Sequence, residues 1–191
     1  MPQKLPDGSL VFKMVYFGPE LAGKGTSIRW IHDKEKGIQT GKLTQVRAGR
    51  DASFFDRMMA KIGKSNVSFQ VWSVVGKKSF ESLQKAILGG VDGIIFVWDA
   101  SIEAWKDNLA AVNLLIEILK KKLIDLPLIC MFNKIDLDLN KRVTKKDAEG
   151  IFKKARLRNV DFIETVAING KNVKNAFTLC AKRILASYIK K

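Results

Sequence analysis

Seven residues, Gly18-Pro-Glu-Leu-Ala-Gly23-Lys24, constrain this chain more than any others. They stand between an apolar run at residues 11–17 and a stretch of helical periodicity at 24–32. The spacing is G-x-x-x-x-G-K in a strand–turn–helix setting, the context in which it forms a loop that cradles phosphate. Glycines at both ends let successive backbone N–H groups curl around anionic oxygens. The helix N-terminus adds partial positive charge, and the lysine reaches the terminal phosphates. The predicted phosphate contacts are Gly18, Gly23, Lys24, Gly25, Thr26 and Ser27. One position departs from the pattern. The Ser or Thr that ordinarily offers a hydroxyl to Mg²⁺ is Gly25, so Thr26, one place later, is the candidate metal ligand.

The rest of the chain keeps up the alternation. Residues 34–50, with Gly37, Gly41 and Gly49, read as a long loop, and 53–60 and 67–74 as two strands of a hairpin. Helices are expected at 79–88, 102–123, 145–156 and 172–189, and strands at 93–98, 127–132 and 161–167. The reading is an α/β fold, one domain over 1–191 with a short tail at 1–9. Its sheet is mostly parallel and covered by helices on both faces, with ligands at the carboxyl ends of the strands.

The second informative motif is Asn133-Lys134-Ile135-Asp136, directly after the apolar run 127–132. A carboxylate there can accept from both the N1 and N2 donors of guanine, while the Asn reaches N7. Adenine lacks that donor pair and would leave the carboxylate unpaired. Thr165-Val166-Ala167 closes the next strand and precedes Gly170, placing Val166 and Ala167 amides toward the guanine oxygen. The base-binding set is Asn133, Lys134, Asp136, Val166 and Ala167.

With these residues in place the chain resembles the Ras-like small GTPases, and among them the bacterial gliding-motility GTPases of the MglA type. The likeness is carried by Gly18-Pro19 through Lys24, Phe54-Phe55-Asp56, residues 90–97, Asn133-Lys134, and Val166-Ala167 with Gly170. It implies a P-loop fold with a six-stranded sheet, GTP or GDP as ligand, and a change of partner according to which is bound. For the MglA type it also implies a small regulatory partner of the roadblock fold. The family's second switch is most often Asp-x-x-Gly-Gln. The Asp holds Mg²⁺ through water, the Gly amide meets the γ-phosphate, and the Gln orients the attacking water. Here the residues are Ser73-Val-Val-Gly76-Lys77, so Gly76 is kept and Lys77 replaces the Gln. A lysine cannot accept a hydrogen bond from that water. Aligning Phe54-Phe55 with the family puts Ala52 where the first switch offers a Thr; Thr40 and Thr44 lie upstream, and Arg50 is a candidate intrinsic arginine finger. The losses at Gly25, Ala52 and Lys77 fall on groups serving Mg²⁺ or water, whereas Lys24, Asn133 and Asp136 remain. The expectation is a guanine-nucleotide switch with slow or absent hydrolysis, in which Lys77 supplies charge that Mg²⁺ otherwise provides.

Charge adds a second expectation. There are 34 basic and 19 acidic residues, a formal net charge of +15, and residues 141–191 hold 14 basic against 4 acidic side chains. Such a field suits an acidic protein or an anionic membrane surface, and no motif specifies nucleic acid. No apolar run approaches the roughly 20 residues of a membrane span. Without a signal core or a terminal prenylation cysteine, the expected location is cytoplasmic, peripheral to a membrane at most. Cys130 and Cys180 read as buried thiols, His32 lacks metal-ligating neighbours, Trp30 reads as exposed near the first switch, and Asp99 as a helix cap. Two other functions are compatible with parts of the sequence. Gly-Lys-Gly-Thr resembles nucleoside-monophosphate kinases, although an arginine-bearing lid is missing and Asn-Lys-x-Asp would be idle. A nucleotide-free scaffold using only the fold and its charge is the other.

Overall fold

The computed structural model describes residues 2–48, 53–63, 66–157 and 159–190. The tail is not wholly irregular: Gln3–Lys4 (β1) lies antiparallel on the start of Leu10–Gly18 (β2). Then follow Lys24–Lys34 (α1), Ile38–Thr40 (β3), Thr44–Ala48 (β4), Ser53–Ile62 (β5) and Val67–Val75 (β6). The second half runs Glu81–Leu88 (α2), Gly93–Asp99 (β7), Trp105–Leu119 (α3), Lys122–Asp125 (α4), Leu128–Asn133 (β8), Lys145–Lys154 (α5), Val160–Thr165 (β9) and Val173–Ile189 (α6).

The strands join one sheet in the order β3-β5-β6-β2-β7-β8-β9, with β1 added to β2 and β4 to β5. From β6 to β9 every pairing is parallel, while β5 runs antiparallel to β6. The expected six strands are therefore β5, β6, β2, β7, β8 and β9, and β1, β3 and β4 are additions. β7 and β8 are buried along their whole length, which is why their sequences are continuous apolar runs. Along β2 the side chains alternate. Met14 and Tyr16 face a core shared with Ile28 and Ile31 of α1 and Phe177 and Cys180 of α6. Val15 and Phe17 face a core shared with Ala111 and Leu115 of α3 and Phe152 of α5. Both cysteines are buried and unpaired.

Two expected boundaries change. Residues 34–50 are not a continuous loop, because β3 and β4 both add to the outer edge of β5. Gly41 donates to Met59 O across the break between them, so edge pairing persists through a sequence with too few apolar residues to announce a strand. The helix expected over 102–123 is shorter at both ends. Lys120 takes a positive φ of 50° and stops α3 at Leu119, and the chain re-enters a four-residue helix at Lys122. Among the described residues, no helix is long and apolar enough to cross a membrane.

Candidate functional site

The carboxyl ends of β2, β7, β8 and β9 lie side by side, and the loops that leave them carry the predicted site residues. The first loop leaves β2 at Gly18, where φ is 146° and a Cβ would stand 2.3 Å from Val97 O. Only glycine fits where the loop turns this tightly against β7. Lys24 opens α1 with its side chain buried, and Nζ donates back to Pro19 O within the same loop. Burial pushes its ammonium down to about 8, against partial compensation from Glu20 and Asp56. A buried cation short of counter-charge is suited to receiving an anion. Ser27 behaves otherwise than expected: its N–H and its hydroxyl both donate to Gly23 O, so neither is directed at phosphate. Thr26 is exposed on the first turn of α1.

Asn133 ends β8 and is 1% exposed. Its Nδ2 donates to Ala22 O at 2.8 Å, and its Oδ1 accepts from Ala167 N–H at 2.9 Å and Thr165 hydroxyl at 3.1 Å. One side chain thus ties the phosphate loop to the loop after β9. Asn133 and the Ala167 amide, both expected at the base, bond each other here. One hydrogen of Nδ2 remains for a ligand. The Val166 amide is likewise committed, donating to Lys171 O. Lys134 sits at φ 66° and its ammonium bonds Asp99 Oδ2, while Asp99 Oδ1 accepts from both the amide and the hydroxyl of Ser101. Asp99 therefore anchors the Asn-Lys-x-Asp loop and does not cap a helix. Asp136 is exposed at the mouth of this region. Trp30 is half-buried and not free near the first switch: its indole lies so close to Gly170 that a Cβ there would be 1.8 Å from Cε2.

The second-switch loop follows β6. Gly76 N–H donates to Gly18 O at 2.8 Å, and a Cβ at Gly76 would press on Ala111 and Phe17. Its amide must leave Gly18 before it can serve a γ-phosphate. Lys77 is exposed, with Nζ 3.9 Å from Glu20 Oε2 of the phosphate loop. Gln84 on α2 is buried and donates to Val75 O and Lys77 O, holding the loop from beneath. The apolar periodicity of α2 gave no hint of this role. Arg50 and Ala52 lie outside the described residues.

The acid missing from position 73 is present one strand away. Asp56 on β5 is 3% exposed, and its Oδ2 accepts from Ser73 Oγ at 3.0 Å while Oδ1 accepts from Gln45. A carboxylate in the run Phe54-Phe55-Asp56 was a legible signal, because burying an unpartnered charge is unfavourable. Its position relative to the phosphate loop was not legible. A Cβ at Gly25 would stand 2.7 Å from Asp56 Oδ2 and 3.1 Å from Arg29 Nη2. Tested against Mg²⁺, this donor set does not fit the family pattern. Residue 25 brings no hydroxyl, the Ser73 hydroxyl is held by Asp56, and the single carboxylate has a guanidinium near it. His32 Nδ1 is hydrogen-bonded to Asp33, and the described residues contain no cluster of His, Cys, Asp or Glu able to hold a metal by themselves.

Comparison with known proteins agrees with this geometry. The profile of the Ras family matches residues 13–186. The chain is 32% identical over 180 residues to the mutual gliding-motility protein MglA of Myxococcus xanthus, spanning 91% of this chain and 90% of that protein. It is 30% identical over 175 residues to the Ras-related protein Rab-4A of Homo sapiens, spanning 92% of this chain and 75% of the relative.

Proposed function

The chain belongs to the Ras family of small GTPases, and from that premise we propose a guanine-nucleotide-dependent switch whose hydrolysis is slow or absent and whose reliance on Mg²⁺ is low. One observation carries the reading. The nucleotide-holding half of the site is assembled around Asn133, whereas the positions that serve water and metal hold Lys77 and Gly25. Lys24 and Lys77 supply positive charge at the phosphate loop, and Asp136 stands free to accept from guanine N1 and N2. Lys77 can stabilise phosphate charge but cannot orient an attacking water as a glutamine does. Gly76 supplies the switch, because its amide can serve Gly18 O or a γ-phosphate but not both.

By analogy with the gliding-motility relative, the process is cell motility or polarity, and the regulator is a small roadblock-fold protein. The surface for it is the groove of about 600 Å³ between β5, β6 and α2, lined by Phe55, Trp72 and Leu83. Arg57 lies 5.0 Å and Lys13 5.8 Å from the Trp72 ring centre, so carboxylates on that partner complete the contact. The excess of basic over acidic side chains in residues 141–191 suits an anionic bilayer, and the reading is of a cytoplasmic protein that docks peripherally on such a surface.

The test is to purify the protein without added nucleotide, denature it and identify what is released, then follow single-turnover GTP hydrolysis with Mg²⁺. Guanine nucleotide is expected in the release and hydrolysis at or below the family's slow intrinsic level. Turnover well above that level would overturn the slow-hydrolysis reading. No bound nucleotide and no GTP binding on titration would leave only a scaffold.

A further inference from the structure

Beside the phosphate loop the nucleotide-binding reading leaves Arg29 unused, and the inference rests on that reading. Arg29 follows Gly25 by four residues, so the two share one face of α1. Asp56 reaches the same place from β5, fixed by Ser73 and Gln45. The distances of 2.7 Å and 3.1 Å from a Cβ at residue 25 to Asp56 Oδ2 and Arg29 Nη2 show what occupies this volume. Where a hydroxyl-bearing side chain and its cation would stand, there are a carboxylate and a guanidinium. Gly25 is thus more than a lost ligand, since its missing side chain leaves a space that both Asp56 Oδ2 and Arg29 Nη2 border.

A nucleotide diphosphate or triphosphate brings further negative charge to this corner, next to the already buried Asp56. Without a cation, the carboxylate and the phosphates repel. Arg29 is exposed, and its Nη2 borders the same space at residue 25 as Asp56 Oδ2. The fork of N–H donors of a guanidinium matches phosphate oxygens two at a time. We propose that Arg29 is the resident cation of this nucleotide site, bridging Asp56 and the phosphate oxygens in place of a divalent ion. The function is to anchor the ground state, not to catalyse hydrolysis.

The experiment measures Kd for a fluorescent GDP analogue in excess Mg²⁺ and in EDTA, for the full chain, Arg29→Gln and Arg29→Lys. Circular dichroism melting confirms that each variant folds, as expected for a change at an exposed residue. The unmodified protein should bind within about threefold equally in the two buffers. Arg29→Gln should weaken binding in EDTA by about 10- to 100-fold and regain part of it in Mg²⁺, because Asp56 is then free to receive the ion. Arg29→Lys should recover only part of the loss, having the charge without the fork. Equal affinity of Arg29→Gln and the unmodified protein in EDTA would overturn the proposal, including the case in which only turnover falls and Arg29 acts as a catalytic finger. Loss of nucleotide by the unmodified protein in EDTA, with the same Mg²⁺ requirement in the variant, would overturn it too. If the unmodified protein binds no guanine nucleotide in either buffer, the nucleotide-binding reading itself falls.

Discussion

Lys24 and Asn133 show how single side chains set this site's chemistry. Lys24 is held with its ammonium pushed down to about 8 from an ordinary 10.5, chiefly by burial. The sign follows from proton counting. Between those values the unfolded chain binds the extra proton, so this group makes the ligand-free protein more stable as pH rises from 8 through 10.5. Phosphate restores the charged form, so nucleotide binding must draw a proton from solution. At pH 8 calorimetry in buffers of different ionisation enthalpy should show uptake of about half a proton, falling to about a tenth at pH 7. Uptake that does not change with pH would mean that Lys24 is fully charged before the ligand arrives. Asn133 makes a second prediction. Asn133→Ala leaves Ala22 O, Thr165 Oγ and Ala167 N–H without their partner, and orphaned buried groups cost about 1–3 kcal/mol each. Urea denaturation should register a loss of several kcal/mol, well beyond the cost of a truncated surface amide.

Among the elements, α5 and α2 contrast a helix built for stability with one that controls a loop. α5 begins with a reciprocal capping box: Thr144 accepts from the Asp147 amide, and the Asp147 carboxylate accepts from the Thr144 amide and hydroxyl. Replacing Thr144 by Ala should cost about 1 kcal/mol in thermal or chemical denaturation and leave nucleotide affinity unchanged. The role of α2 is instead carried by Gln84. With Gln84→Met the carbonyls of Val75 and Lys77 lose their donor while the buried volume is nearly conserved. Hydrogen exchange over residues 76–80 should accelerate, with little change in the protection of β2, β7 and β8. Uniform acceleration would show that Gln84 serves global stability and not the second-switch loop.

Across the whole molecule, the helix ends carry a set of exposed basic side chains. In a right-handed parallel arrangement the helices return antiparallel to the strands, so their C-termini gather at the end away from the site. Lys120, Lys121, Lys153, Lys154, Arg156 and Lys190 fall at or just past helix C-termini, and Lys122 follows at the start of α4. All seven are exposed and have no ion-pair partner among the described residues. The local benefit is complementing the helix dipoles, but the sum is a field from a net charge of +15. The protein should sediment with vesicles containing anionic lipid at low ionic strength, remain in the supernatant with neutral vesicles, and be released at a few tenths molar salt, where the Debye length shrinks to about 5 Å. Binding that resists salt would point to apolar insertion instead.

Much of this architecture follows from local pattern. The buried strands β7 and β8 are continuous apolar runs, and the loop after β2 has a glycine at each end before a lysine, so period and turn chemistry are enough to place them. The Asn-Lys-x-Asp segment could be assigned to the end of a buried strand for the same reason. The edge strands β3 and β4 were not legible, because edge pairing uses backbone groups and leaves little hydrophobic signature. Nor could the chain order reveal that Asn133 bonds Ala22, 111 residues away, that Asp56 occupies the corner vacated by residue 73's lost acid, or that Arg29 shares it. Those contacts join elements that the sheet brings together from distant parts of the sequence. They exist only once the sheet has closed and brought buried polar groups within reach of each other, where each must find a partner or lose the stability that burial supplies.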